Sequence, residues 1–276
     1  SNKWKFLLTG VATLTLLTAC TQASSQSATK SNTAQTTATS TSKNKTNNSN
    51  YFTDKDKDSS YDESKASTVK LSGSSASVSG DGVAVSGSTV TISKAGTYVI
   101  SGESDGVQIK VEAGDSDDVH IVLKGVTMTN TNAPISATKA GHVYLTLADG
   151  TTNTLSDSSS NTDEDADAVI FSKGDLTING SGTLNIDAKK NNGIKANDTL
   201  HITGGTYKIT AVGDAFNVND ELNITGTTMT IDADEDAVKV DNDDDTSVGT
   251  MYLSDNKMTI TAGDDGIHAS GDLVID

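Results

Sequence analysis

Arginine is absent from the sequence, and lysine is outnumbered: 20 Lys against 37 acidic residues leave a formal net charge of -17. That balance excludes DNA and RNA as partners, because phosphate contacts need clustered basic side chains. A single cysteine, Cys20, rules out an internal disulfide. Aromatics at 4% and hydrophobics at 34% are thin for an ordinary globular core of 276 residues. They are normal for a solenoid, in which each coil buries a few aliphatic side chains. No amphipathic helical period, EF-hand loop, G-x-S-x-G elbow or phosphate-binding glycine loop occurs. What is present instead is Gly, Ser, Thr, Asp and Asn, with an acidic surface suited to attracting cations.

The N-terminus reads as an export signal. Lys3 and Lys5 precede the apolar run "FLLTGVATLTLL", which is too short to span a bilayer comfortably, and "LTAC" follows. That tetrapeptide matches a bacterial lipobox, whose Cys20 becomes the lipidated first residue; the sole tryptophan, Trp4, leaves with residues 1–20. The low-complexity stretch "TQASSQSATKSNTAQTTATSTSKNKTNNSN" cannot bury enough apolar surface to offset its ordering entropy. Residues 21–68 are therefore expected to be a disordered tether, frayed over 51–68. An anchor plus a tether implies a domain held outside the cytoplasmic membrane at the bacterial cell surface.

An internal repeat organises the remainder. "DAVIFSKGDLTINGSGTLNIDA" from Asp167, "NGIKANDTLHITGGTYKITA" from Asn192, "DAFNVNDELNITGTTMTIDA" from Asp214, the copy from Asp236 and "DGIHASGDLVID" from Asp265 are variants of one unit. Asn192 to Asp214 and Asp214 to Asp236 are both 22 residues apart. Each unit holds three strands of period two separated by Gly, Asp or Asn turns. The inward positions form apolar columns: Val169, Ile194, Phe216, Val238, Ile267 with Phe171, Ala196, Val218, Val240, Ala269 in the first strand; Leu176, Leu200, Leu222, Met251, Leu273 with Ile178, Ile202, Ile224, Leu253, Ile275 in the second; Leu184, Tyr207, Met229, Met258 with Ile186, Ile209, Ile231, Ile260 in the third. Upstream, Val99, Ile121 and Val143 keep the 22-residue spacing, as do Leu123 and Leu145. The expected architecture is all-β, a right-handed parallel β-helix over residues 97–276, with residues 69–96 as an N-terminal cap. The sequence stops inside a coil, so a longer protein is expected.

Carboxylates recur just before the first strand of each unit, at Asp105, Asp167, Asp214, Asp236 and Asp265, with Asn192 in one copy. Asp163, Glu164, Asp165, Asp234, Glu235 and Asp264 surround them. Coils stack about 4.8 Å apart, so these side chains would form a ladder of like charges. Two charges at that spacing repel by about 1 kcal/mol in water and about 3–4 kcal/mol at an effective dielectric of 20. Calcium, which takes six to eight oxygens at roughly 2.3–2.6 Å, would bridge the rungs. The plainer alternative is that Asp caps tight turns. Zinc and copper suit the donors less well, because thiolate is missing and histidine is sparse.

"DAVIFSKGDLTINGSGTLNI", "GIKANDTLHITGGTYKIT" and "AGDDGIHASGDLVI", with "ISKAGTYVISG" and "ADGTTNTLSD" upstream, resemble the bacterial carbohydrate-binding family of calcium-containing right-handed parallel β-helices with pectate-lyase-like architecture. The resemblance covers residues 70–276. It implies calcium-dependent binding of cellulose or polygalacturonate-type glycans, with the acidic metal positions at Asp167, Asp214, Asp236 and Asp265; Asn192 departs from the pattern.

Two other functions compete. One is a calcium-stiffened adhesin or stalk that binds no glycan. The other is a calcium-dependent polysaccharide lyase, which needs a base at the uronate α-carbon, commonly Arg or Lys. The outward column Ile170, Lys195, Asn217, Lys239 and His268 offers lysines that could pair with a uronate, with Lys195, Asn217, Lys239 and His268 the candidate glycan contacts; more simply it is only a solvated face. Tyr98, Tyr144 and Tyr252 read as outward and Tyr207 as core, so aromatic stacking on sugars is weakly supplied, with Tyr252 the candidate. His120 and His142 are 22 residues apart and read as exposed polar positions or as a metal-binding pair. The expected partners are a polysaccharide and, through the anchor alone, the membrane; the expected state is a monomer without catalysis.

Overall fold

The structure, a computed structural model, describes residues 35–39 and 50–276. The expected leader, Cys20 and most of the expected tether lie outside the described residues. From residue 67 onward the chain winds as a parallel β-helix. One nine-stranded sheet takes the first strand of every coil. A 16-stranded sheet takes the second and third strands, merged through the long strand Asp118–Thr129. That strand pairs with both His142–Leu147 and Thr152–Ser156.

The expected columns pair rung by rung through most of the solenoid. Leu176, Leu200, Leu222, Met251 and Leu273 follow one another in register, as do Leu184, Tyr207, Met229 and Met258. Ile194, Phe216 and Val238 are wholly buried. Each such aliphatic or aromatic side chain contributes roughly 1.5–3 kcal/mol by leaving water, so a few per coil replace a large aromatic core. Gly180 marks a place where no side chain fits: its φ is +89°, and an added Cβ would collide with the Leu147 carbonyl oxygen of the preceding coil.

Two columns run one residue off the expected register. Ile170 and Ser172, rather than Val169 and Phe171, pair with Ile194 and Ala196. Phe171, not Ile170, therefore stands above Lys195. Upstream, Tyr98 rather than Val99 pairs with Ile121, and Ile121 pairs with Leu145 rather than Val143. Here the coils are longer than 22 residues, and equal sequence spacing no longer means equal height. Tyr98, expected outside, is 1% exposed in the core, its hydroxyl donating to the Lys94 carbonyl at 2.7 Å.

The parallel stack starts earlier than residue 97. Ser67–Gly73 already pairs in parallel with Gly96–Asp105, and Thr89–Ile92 with Gln108–Glu112. Antiparallel partners Ser75–Ser79 and Val83–Ser86 close these two edges, which blunts the open end against further pairing. Residues 51–66, assigned by composition to the tether, are folded. They cross the outer face of the larger sheet as a strap containing the short helix Asp54–Lys57 and a single turn at Glu63–Lys65.

Candidate functional site

The acidic ladder exists, and its main bond is to the backbone. The Asp214 N–H donates to Asn192 Oδ1 at 3.2 Å, the Asp236 N–H to Asp214 Oδ1 at 2.9 Å, and the Asp265 N–H to Asp236 Oδ1 at 2.8 Å. Each side-chain oxygen satisfies the amide of the next coil. Asn192 does this as well as Asp, which explains its place in the series. Asp105 takes no part: it accepts from Thr129 Oγ1 at 2.8 Å in the other sheet.

In Asp214, Asp236 and Asp265 the Oδ2 oxygen faces the outward column, and Asp167, which lies outside the run of backbone bonds, meets it through Oδ1. Lys195 Nζ donates to Asp167 Oδ1 at 2.8 Å, and Asn217 Nδ2 to Asp214 Oδ2 at 2.7 Å. Lys239 Nζ lies 3.9 Å from Asp214 and 3.7 Å from Asp236. His268 Nδ1 lies 3.7 Å from Asp236 and 3.3 Å from Asp265. Lys195, Asn217, Lys239 and His268 are stacked in register, one per coil. Two lysines thus already offset part of the like-charge repulsion. Burial pushes the Asp236 carboxyl up, with Asp214 adding to the shift and the Asp265 N–H, Lys239 and His268 opposing it. Burial likewise raises Glu235, again with Asp214 adding to it.

Oxygen donors gather at both ends of the ladder. Asn161, Thr162, Asp163, Glu164, Asp167 and Asn191 line a half-open cleft of about 390 Å³, with Lys190 the one cation on its wall. Carboxylate, hydroxyl and amide oxygens are what calcium requires. Asp163 Oδ1 also accepts the N–H groups of Asp165 and Ala166 at 3.2 and 3.0 Å, which holds the acidic loop over the cleft. At the other end, candidate ligand atoms of Asp236, Asp265 and His268 all lie within 4.8 Å of one another. Exposed Asp165, Asp234, Glu235 and Asp264 flank the ladder without joining its run of backbone bonds.

The strap builds a second polar centre. Asp56, 1% exposed, accepts from Thr177 Oγ1 at 2.7 Å and from His201 Nδ1 at 2.9 Å, while His201 Nε2 reaches Glu221 at 2.6 Å. Asn179 donates to the carbonyls of Asp56 and Asp58, and Asn223 to that of Tyr51. Tyr51 stacks on Tyr252 at 3.6 Å and 2°. Lys55 sits 4.7 Å over the Tyr144 ring and pairs with Asp118. Tyr144 and Tyr252, expected outside and open, do face outward but are covered; Tyr207 is core, as expected. His120 and His142 do not form a pair: His120 pairs across the sheet with Tyr144 and bonds Thr146, while His142 bonds Thr177.

Burial opposes a charge on His201, but Asp56 and Glu221 on its two ring nitrogens outweigh burial and raise its pKa to about 9. Burial likewise opposes ionisation of Asp56, yet His201, Thr177 and the Thr53 N–H hold its carboxyl well below the usual carboxylate range. The His201 contribution is complete below its ordinary value of 6.5 and is lost as pH rises through about 9. The Asp56 contribution is complete above 3.8 and fades as pH falls below that. Strap protection in hydrogen exchange is therefore expected to plateau between about pH 4 and 7 and to fall on both sides; protection unchanged up to pH 10 would contradict this.

Sequence reasoning passed over Asp56, Thr177, Asn179, His201 and Asn223. Two signals pointed to them. "YFTDKD" puts an aromatic pair and a T-x-x-D capping box in a stretch otherwise short of large apolar side chains, and the structure forms that box between Thr53 and Asp56. Thr177, His201, Asn223 and Tyr252 also occupy the same outward position in successive second strands.

Comparison with known proteins adds two findings. A family model described as "Carbohydrate-binding domain-containing protein" matches residues 86–276. Among solved structures, a polysaccharide lyase-like protein from C. thermocellum, studied as a gadolinium derivative, superimposes with a TM-score of 0.71 at 29% identity, covering 76% of this chain and 97% of that one. No curated protein matches the chain.

Proposed function

Because the chain belongs to the family of carbohydrate-binding domain-containing proteins, we propose that it is a calcium-dependent binder of cellulose or pectate-type polysaccharides, displayed on a bacterial surface by a lipid at Cys20. The observation that carries the reading is the in-register column Lys195, Asn217, Lys239 and His268 beside the acidic ladder. One hydrogen-bonding or cationic group per coil repeats every ~4.8 Å, close to the advance of one sugar residue in a linear chain. Calcium, when bound at the cleft of Asp163, Glu164 and Asp167, would supply a positive centre for anionic sugars. The chain's own part is to hold that loop and to line up Lys195 and Lys239 along the ladder.

Binding is favoured over lyase chemistry by the state of the lysines. Lys195 and Lys239 are both engaged by carboxylates, so neither stands free to remove a proton from a uronate. The similarity to a lyase-like protein keeps elimination as the second reading. Pull-down on insoluble pectate and cellulose, with and without EDTA, separates the cases. Retention that EDTA abolishes is the expected result, retention unaffected by EDTA removes the calcium requirement, and no retention on any glycan leaves the stalk. Release of unsaturated product absorbing in the near ultraviolet would establish the lyase.

A further inference from the structure

The strap covers a face of hydroxyl, amide, imidazole and tyrosine side chains, edged by the carboxylates of Asp118 and Glu221. Along it lie His120, Thr146, Thr177, Asn179, His201, Asn223 and the rings of Tyr144 and Tyr252. The hydroxyls and amides are chained toward the strap: His120 meets Thr146 at 2.7 Å, Thr146 donates to Asn179 at 2.5 Å, and Asn179 donates to the strap carbonyls. The strap meets these groups with an aromatic ring, a carboxylate and backbone carbonyls. Its course runs across the strands, from Tyr51 on Tyr252 through Asp56 on Thr177 and His201 to Lys55 on Tyr144 and Glu63 on Lys124. Tyr51 lies flat on Tyr252 as a pyranose ring does on an aromatic platform. Asp56 delivers one carboxylate to a hydroxyl and an imidazole, and backbone carbonyls take the amide donors where sugar hydroxyls would.

We propose that the face beneath the strap is a binding groove for an acidic polysaccharide of the uronate class, and that residues 51–65 occupy it as a built-in mimic which the glycan displaces. Asp56 fills the position of a uronate carboxylate against Thr177 and His201. Glu221 holds the other ring nitrogen of His201 and fixes the imidazole's aim. Asn179 and Asn223 would bond ring hydroxyls, and Tyr252 would stack on a sugar face. Successive donors stand one coil apart along the solenoid, which suits a linear polymer lying parallel to its axis. Neutral glucans lack the carboxylate that Thr177 and His201 are arranged to receive, so this groove selects acidic sugars. The inference rests on the polysaccharide-binding reading and gives it a second site, distinct from the Lys195 column.

The test uses full-length protein, a galacturonate hexamer and a cellohexaose control, by calorimetric titration and hydrogen exchange. Tyr51→Ala with Asp56→Ala alters the strap and leaves the face intact. Because a competitor tethered in the groove reduces apparent affinity by the fraction of molecules open, this variant is expected to bind the galacturonate hexamer about tenfold more tightly than wild type. Adding His201→Gln is expected to erase the gain. The hexamer added to wild type is expected to raise exchange across residues 51–65, while the strand Asn192–Ala196 stays protected and reports that the fold is intact. Equal affinity of wild type and strap variant, or a strap that stays protected in the saturated complex, overturns the inference while leaving polysaccharide binding standing. If neither protein binds either hexamer, the polysaccharide-binding reading fails and this inference with it.

Discussion

Asp56→Ala is expected to release residues 51–65 from the sheet, so that their amides exchange at the rate of an open segment while the coils beneath stay protected. The reason is the cost of leaving one half of a buried charge pair. Asp56 accepts hydrogen bonds from the Thr53 N–H, Thr177 and His201. Its removal leaves a largely buried imidazolium with Glu221 as its one carboxylate and the Thr177 hydroxyl with only His142 Nε2. Breaking such a pair from one side costs about 3–5 kcal/mol. A short strap held by a few side chains cannot absorb that loss, whereas the stacked coils can, so the damage is local rather than global. Asp56→Asn keeps the volume and an acceptor but loses the charge, and should give intermediate protection. A strap equally protected in wild type and Asp56→Ala would refute this account.

Asp214→Ala is the second large effect, and Asp214→Asn is its control. Asp214 is 3% exposed, and its Oδ1 receives the buried N–H of Asp236. Alanine leaves that donor unpaired at a cost of about 1–3 kcal/mol. For a domain of this size that lowers the melting temperature by about 2–12 °C. Asparagine keeps the accepting oxygen, as Asn192 does one coil earlier, and should preserve most of the stability measured in EDTA. The two substitutions separate the roles argued for the ladder. If the carboxylate matters by holding calcium, Asp214→Asn loses the stabilisation that added calcium confers. If it matters as a turn acceptor alone, Asp214→Asn behaves as wild type with and without calcium. An Asp214→Ala protein as stable as wild type would contradict the backbone role.

The repeat was the most legible part of the molecule. Period two in short segments, copied at a 22-residue interval, leaves one arrangement in which Leu200 shares a column with Leu222 and Tyr207 with Met229, and they do. Legibility ended where the interval changed. Val99, Ile121 and Val143 are evenly spaced in sequence but not in height, because the coils they join have longer turns, and one residue of slip turns Tyr98 inward. The acidic positions were legible as a recurring turn residue. Their main work was not, since an oxygen that accepts the next coil's N–H is identified by its neighbour in space.

The sequence by itself determined the solenoid, its apolar columns, the acidic turn in each coil and the strongly negative charge, because each follows from local periodicity or from composition. Tertiary structure decided the rest. It put Lys195, Asn217, Lys239 and His268 in one line against the carboxylates, and it laid residues 51–66 over His201 and Tyr252. Such a strap is invisible to composition: it has too few apolar residues to fold alone and becomes ordered by hydrogen-bonding to side chains more than a hundred positions away, such as Thr177 and His201.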